Sequence, residues 1–294
     1  MTLGTLWRIS RPPTLLATVV PVLVGTVAAA GSGPISLPLA ALMAVVGLLI
    51  QAATNMINEY ADWARGVDTP ESIGIAGVLV SGELGPGSVR RAAWGTYALA
   101  LVLGLVLVAF RGPVLLLLGL ASIGVSVVYS WGPNPISATP FGEAVVLLFM
   151  GPLEVLVSEY AAAARLTTEA LAASLPVGCM VALILLANNV RDRDGDARRG
   201  RRTLPIVLGP GRLPWAVDGL IAAAFAGTAL LVALGLLPVE ALVILLAAPR
   251  AWVLAREILG PSPGVRIVPE AARLHLLVGA LLGAGLFTGA LTGR

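Results

Sequence analysis

Residues 168–202 read TEALAASLPVGCMVALILLANNVRDRDGDARRGRR. No charged residue stands between Glu169 and Arg191, after which the run breaks into alternating aspartates and arginines. A hydrocarbon core about 30 Å thick takes about 20 apolar residues of helix to cross. The stretch therefore reads as a membrane span with a charged apron at one end. The whole chain repeats that pattern: its 294 residues are 57% hydrophobic and only 12% charged, with a mean hydropathy of +0.93. A soluble domain carries about 25% charge, so a soluble globule is excluded. Disorder and a disulfide scaffold go with it, since Cys179 is the only cysteine.

Working outward, span-length apolar runs fall near 13–30, 38–58, 92–110, 113–130, 139–157, 168–189, 213–235, 237–256 and 272–291. The expected fold is all-α, a polytopic membrane protein of nine transmembrane helices. No small-residue cleavage site ends the first run and more spans follow, so it is a span and not a signal peptide. All 19 basic residues are arginine; the missing lysine is assigned no chemistry. With the N-terminus cytoplasmic, 15 of the 19 fall on inner segments, leaving Arg111, Arg165 and Arg294 outside and Arg250 beside the eighth run. That bias sets the orientation. It also explains the net charge of +3 without nucleic acid as a partner.

Outer connections are short, as at Arg111-Gly112-Pro113, whereas the inner segments near 59–91 and 190–212 are long and charged. Loops of that length are uncommon unless they do something. The first carries NMINEYADWARGVDTPE, with Asn55, Asn58, Glu59, Asp62, Asp68 and Glu71; the second carries NNVRDRDGDARRGRRTL, with Asn188, Asn189, Asp192, Asp194 and Asp196. Glu59 and Asp62 stand three apart, and Asn58 and Asp62, like Asn188, Asp192 and Asp196, stand four apart; residues at those spacings share a helical face. Carboxylates gathered at two helix ends repel unless a cation relieves them. Mg²⁺ typically takes one or two carboxylates plus phosphate oxygens and water, and the interleaved arginines suit a diphosphate. The plain alternative is solvated loop charge with asparagine caps. An alternative of another class is a secondary transporter, whose ion sites lie near the bilayer midplane.

At these residues the sequence resembles the UbiA superfamily of intramembrane prenyltransferases, most of all its branch that prenylates 1,4-dihydroxy-2-naphthoate in menaquinone synthesis. The likeness runs through RPPTLLATVVPVLVGT (11–26), NEYADWARGVDTPESIGIAGVLVSGEL (58–84), YSWGPNPISATPFGEAVVLLFMGPL (129–153) and NNVRDRDGDARRGRRTLPIVLG (188–209). Two positions depart from the family pattern: Glu59 stands where the motif usually has aspartate, and Arg201 where lysine is common. The resemblance implies one domain over 1–294, with helices around a central cavity, in a plasma membrane with the active site facing the cytoplasm. It implies Mg²⁺ as cofactor, and a polyprenyl diphosphate and an aromatic acceptor as partners within the lipid bilayer. Other acceptors in the superfamily are 4-hydroxybenzoate, homogentisate, a porphyrin or chlorin, and a glyceryl lipid.

Carried over residue by residue, the resemblance assigns Asn58, Glu59, Asp62, Asp68, Asp192 and Asp196 to Mg²⁺-diphosphate binding, with Asn189 beside them. Arg191, Arg201 and Arg202 become phosphate clamps. Arg11 orients the acceptor's carboxylate or the diphosphate. Tyr129 either faces the allylic cation with its ring, hydrogen-bonds a phosphate, or is a tyrosine of the interfacial belt. Glu143 orients the acceptor or serves packing. Asp194 reads as solvated, Glu154 as a packing or interface carboxylate, and Cys179 as core. His275 has no second ligand at metal spacing.

Overall fold

The computed structural model describes residues 2–69 and 77–292. Among them lie twelve α-helices and no strand. A short α1 (Leu3–Ile9) precedes α2 (Pro12–Gly31), α3 (Leu37–Ala64), α4 (Pro86–Arg111) and α5 (Val114–Ser130). Next, α6 (Gly142–Leu148) passes through a π turn (Phe149–Leu153) into α7 (Glu154–Ala163). The chain continues through α8 (Thr168–Arg191), α9 (Arg193–Arg198) and α10 (Leu204–Ala233). A 3₁₀ stretch (Val239–Ala247) leads into α11 (Ala248–Ile258), and α12 (Ile267–Thr292) closes the fold.

Among the described residues seven helices are long and apolar enough to cross a membrane: α2, α3, α4, the α6–α7 unit, α8, α10 and α12. The fourth expected run is the 17-residue α5. The eighth is divided between the 3₁₀ stretch and α11, with Pro238 ahead of the first and Pro249 opening the second. Several helices outrun the expected boundaries. α3 continues to Ala64 and α4 begins at Pro86, because a helix projects past the hydrocarbon while hydropathy marks only its apolar part. Asn58 and Asp62 thus lie on helix, where spacing sets their direction. α10 begins at Leu204 and breaks at Gly209, whose φ of 64° and ψ of 175° no helix accommodates.

Helix α8 is the axis. Most of its residues are buried, and it packs against α2, α6, α7, α10 and α12. Leu183 and Leu186 join Val20, Ile244, Leu274 and Leu282 in the main core. The π turn sits against it almost backbone to backbone. A Cβ on Gly151 would lie 2.7 Å from Gly178 Cα, and one on Gly178 would lie 2.8 Å from the Leu147 carbonyl oxygen. Small residues permit such approaches between membrane helices. At the end of the bundle away from the charged clusters, Arg111 donates to the carbonyls of Ala161 (2.8 Å) and Ala162 (3.0 Å). Arg165 there donates to Ala29 O (2.6 Å). These arginines satisfy helix-end carbonyls that have no intrahelical partner.

A cavity of about 330 Å³ separates α8 and the π turn from α3, α4 and α5. Its walls are mainly apolar, with Val46, Ile50, Leu107, Ile123, Phe149 and Leu185 among them. Because Gly178 has no room for a side chain, Gly178→Ala is expected to destabilise the fold by about 1–3 kcal/mol through overpacking. Thermal unfolding of the detergent-solubilised variant checks this, and a wild-type midpoint would show that the π turn moves aside freely.

Candidate active site

A cluster of polar groups of the cavity lies at the end where α1 and α2 meet. Arg11, Thr14, Asn58, Tyr129 and Asn188 all line it. Arg11 occupies the break between the two helices in the left-handed region (φ 51°). Asn55 holds that break to α3, donating to Ser10 O and Thr14 Oγ1, both at 2.8 Å. With its amide oriented to satisfy both neighbours, Asn58 donates to Asp62 Oδ2 (2.8 Å) and accepts from Arg11 Nη1 (3.2 Å).

Turn chemistry brings the remaining acids in. Gly66, at φ +66°, reverses the chain so that the amides of Val67 and Asp68 donate to the Asp62 carbonyl at 2.8 and 3.4 Å. Asp68 is thereby folded back beside Asp62. On the other side α8 ends at Asp192, α9 follows at once, and the Asp196 amide donates to Asp192 O (2.9 Å). Gly200, at φ +75°, then lets Arg201 turn back onto Asp196, Nη1 to Oδ1 at 3.1 Å. Arg201 also donates to Ser137 O (2.7 Å), tying the loop to the 3₁₀ turn Ile136–Ala138. Arg191 clasps both oxygens of Asp192 (2.8 and 2.7 Å) and Asn188 Oδ1 (2.8 Å).

The two clusters are near enough for the charge of Asp62 to bear on acids of both. Burial, and then the charge of Asp62, pushes the Asp68 carboxyl up to about 6. Burial also pushes Asp196 up, with Arg201 opposing and Asp192 and Asp62 adding to the rise. Asp62 therefore acts across the gap on acids of both loops. Arg199, which the sequence reading left unassigned, opposes the rise at both Asp68 and Asp196. No trio of His, Cys, Asp or Glu among the described residues converges on one point, so this is not an all-protein metal cage. Acids supplied singly or in pairs, raised by one another's charge and flanked by guanidiniums, suit a cation that shares its shell with phosphate oxygens.

Several expected residues stand apart. Glu59 is 1% exposed, and its oxygens are taken by Arg11 Nη2 and the Val78 amide, each at 3.0 Å. Asn189 is buried and donates to Glu143 Oε1 (2.8 Å) behind the cavity wall, leaving Glu143 Oε2 with no partner among the described residues. The Arg202 side chain is exposed, and it is the backbone amide that donates to Ala138 O (2.8 Å). Asp194, 77% exposed, is solvated. Glu154 is a surprise, for it lines the deep part of the cavity. Glu71 and the rest of 70–76 lie outside the described residues. Sequence reasoning gave no role to Asn188, although its spacing from Asp192 was the available signal. Nothing in the sequence marked Thr14 or Gln51, which also line the cavity.

A cation bound beside Asp68, whose carboxyl is pushed up to about 6 by burial, would displace the proton it holds below that pH. Proton loss is complete only above that value, so apparent Mn²⁺ affinity, read by electron paramagnetic resonance, should climb from about pH 5 to about pH 7 and then level. Asp68→Asn should flatten much of that rise; an identical slope would remove Asp68 from the site.

Residues 18–265 match the sequence profile described as the UbiA prenyltransferase family. The chain is 34% identical over 278 residues to 1,4-dihydroxy-2-naphthoate octaprenyltransferase of Mycobacterium tuberculosis, covering 94% of each. It is 39% identical over 204 residues to the protein of that description in Bacillus subtilis, covering 69% of this chain and 66% of the relative, just under two thirds of its length. Its fold is similar to the apo structure of a UbiA homologue from Aeropyrum pernix K1 (TM-score 0.70, 22% identity, 92% of this chain and 97% of that one). It is also similar to a UbiA homologue from Archaeoglobus fulgidus bound to DMAPP and Mg²⁺ (TM-score 0.63, 21% identity, 95% and 99%).

Proposed function

The chain belongs to the UbiA prenyltransferase family, and from that premise we propose that it transfers a polyprenyl group from its diphosphate to 1,4-dihydroxy-2-naphthoate with Mg²⁺ as cofactor. One observation carries the reading: Arg11, Asn58 and Asn188 line the polar end of an apolar cavity, where Asn58 donates to Asp62 and Arg191 bridges Asn188 to Asp192. That juxtaposition suits a polyanionic head at the mouth and an isoprenoid tail inside. The relatives from M. tuberculosis and B. subtilis supply the choice of acceptor. A transporter reading finds no support in acids placed at helix ends among arginines.

Asp62 and Asp68 on one side and Asp192 and Asp196 on the other would each lend a carboxylate or two to Mg²⁺ whose remaining ligands come from the diphosphate, with Asn58 orienting Asp62. Mg²⁺ bound there supplies charge neutralisation that lets the diphosphate leave. Arg191 and Arg201 sit beside Asp192 and Asp196, placed to take up charge developing on the departing phosphate oxygens. The allylic C–O bond breaks, and its electron pair leaves with the diphosphate. The apolar wall keeps water from the cation, and Tyr129, on that wall, offers it a ring face. The acceptor carbon that carries the carboxylate then attacks, and CO₂ departs with restoration of the aromatic ring. Glu143, which pairs with Asn189 behind the cavity wall and whose Oε2 has no partner among the described residues, is the group we assign to positioning the wall against which the acceptor lies. The fold is one domain crossing a plasma membrane nine times, with α5 and the 3₁₀–α11 segment completing the seven long spans and the mouth facing the cytoplasm.

The test supplies geranylgeranyl diphosphate and Mg²⁺ with dihydroxynaphthoate or 4-hydroxybenzoate, and identifies products by mass. Demethylmenaquinol from the naphthoate alone, lost with EDTA, is expected; product from 4-hydroxybenzoate alone would overturn the acceptor. Asp62→Asn and Asp192→Asn should each lower turnover by about 10²-fold or more with unfolding temperature unchanged. Wild-type rates in these folded variants would refute the site. Glu143→Gln should raise KM for the acceptor and leave that for the diphosphate; the reverse pattern would move Glu143 to the donor.

A further inference from the structure

We propose that Glu59 is a positioning residue: it fixes Arg11 at the cavity mouth and pins the segment 77–85 beside it, and it does not ligate the metal. This rests on the prenyl-transfer reading above. Both carboxylate oxygens are already used within the protein, Oε2 by Arg11 and Oε1 by the Val78 amide, each at 3.0 Å. With 1% of its surface exposed, Glu59 has no face left for a hydrated cation. Arg11 is itself 8% exposed and lines the cavity, and its Nε has no acceptor among the described residues. A buried guanidinium with one spare N–H needs an anion of its own to stay in place; Glu59 is that anion.

The same carboxylate organises the segment packed beside Arg11 against α1 and α3. Val78 and Leu79 are buried in a cluster with Ile9 of α1, Met56 and Ile57 of α3, and Val89 and Ala93 of α4. Farther along, Glu83 accepts from Thr5 Oγ1 (2.8 Å) and pairs with Arg8. α1 and 77–85 are thus joined into one cover, attached to α3 by Asn55 at Ser10 and by Glu59 at Arg11 and Val78. A buried ion pair with further hydrogen bonds is better at fixing register than at adding stability. The register fixed here places Arg11 beside Asn58 at the polar end of the cavity; in the proposed role this assembly keeps water from that end.

Loosening the seal admits water, whose oxygen attacks the allylic carbon as the diphosphate leaves. A proton is released to solvent, and prenyl alcohol replaces the transfer product. Three measurements on the full-length detergent-solubilised protein test this in Glu59→Gln, with Asp62→Asn as reference. Hydrogen–deuterium exchange without metal or substrate should rise about tenfold in peptides over 77–85 for Glu59→Gln only. Mn²⁺ affinity, read by electron paramagnetic resonance, should stay within about twofold for Glu59→Gln and fall about 10-fold or more for Asp62→Asn. With acceptor present, the alcohol-to-product ratio should rise about tenfold for Glu59→Gln, a change that general loss of folded enzyme does not produce. Weakened Mn²⁺ binding in Glu59→Gln overturns the assignment by making Glu59 a ligand; unchanged exchange or an unchanged ratio overturns it by removing the seal. If Glu59→Gln does not fold, Glu59→Asp, which withdraws the carboxylate by about one carbon–carbon bond, takes the same measurements. If the wild type prenylates no acceptor offered, the functional reading fails, while exchange and Mn²⁺ binding still decide the place of Glu59.

Discussion

Mutual repulsion among carboxylates held at the ends of different helices is the constraint around which this molecule is arranged. Asp62 raises the proton affinity of both Asp68 and Asp196, an arrangement that costs folding free energy. Chain tension alone would relax it, since solvated acids in open loops drift apart. Here Gly66 and Gly200 turn their loops back, Arg191 and Arg201 fix Asp192 and Asp196, and Asn58 fixes Asp62. So many devices spent on holding like charges together make sense where a cation and a polyanion complete the set.

The hydrophobic part of the fold serves that convergence. α8 is buried on nearly every face, which leaves its end little freedom of tilt, and the Gly151–Gly178 approach locks the π turn to it. Asn188 and Asp192 therefore emerge at a fixed height and rotation. α3 is buried on one side only and borders the cavity on the other. It still holds its register, because Asn55 and Glu59 tie it to the break before α2. One side of the site rests on close packing, the other on polar staples around a strained Arg11.

What the sequence could show follows from which forces act locally. Lipid imposes a length on every span, so the apolar runs were legible even where their ends were not. Projection of α3 and α10 beyond the hydrocarbon has no hydropathic signature, and the two-part eighth run looks continuous to a hydropathy window. Helical spacing placed Asn58 with Asp62, and Asn188 with Asp192, correctly on common faces. It also set Glu59 with Asp62 and Asp196 with Asp192, but Glu59 turns to Arg11 and to Val78, 19 residues on, and Asp196 lies on α9. Asn189 pairs with Glu143 across a separation of 46 residues. Which way such a residue points depends on a neighbour that only the fold supplies.

Arginine composition gave no chemistry at the sequence level and acquires it in three dimensions. Several arginines here make two or three contacts in different directions. Arg191 holds Asp192 and Asn188, Arg201 holds Asp196 and Ser137 O, Arg111 holds two helix-end carbonyls, and Arg11 joins Glu59 to Asn58. A guanidinium is a planar fork with five donors, whereas an ammonium is a compact point charge on a flexible stem. Lysine at these positions would keep the charge and lose the second direction. At Arg201 that second direction is the bond to Ser137 O, which joins the aspartate loop to the 3₁₀ turn preceding Glu143. The fork thus couples the aspartate loop to the turn that leads into α6, a mechanical link for which charge alone is no substitute.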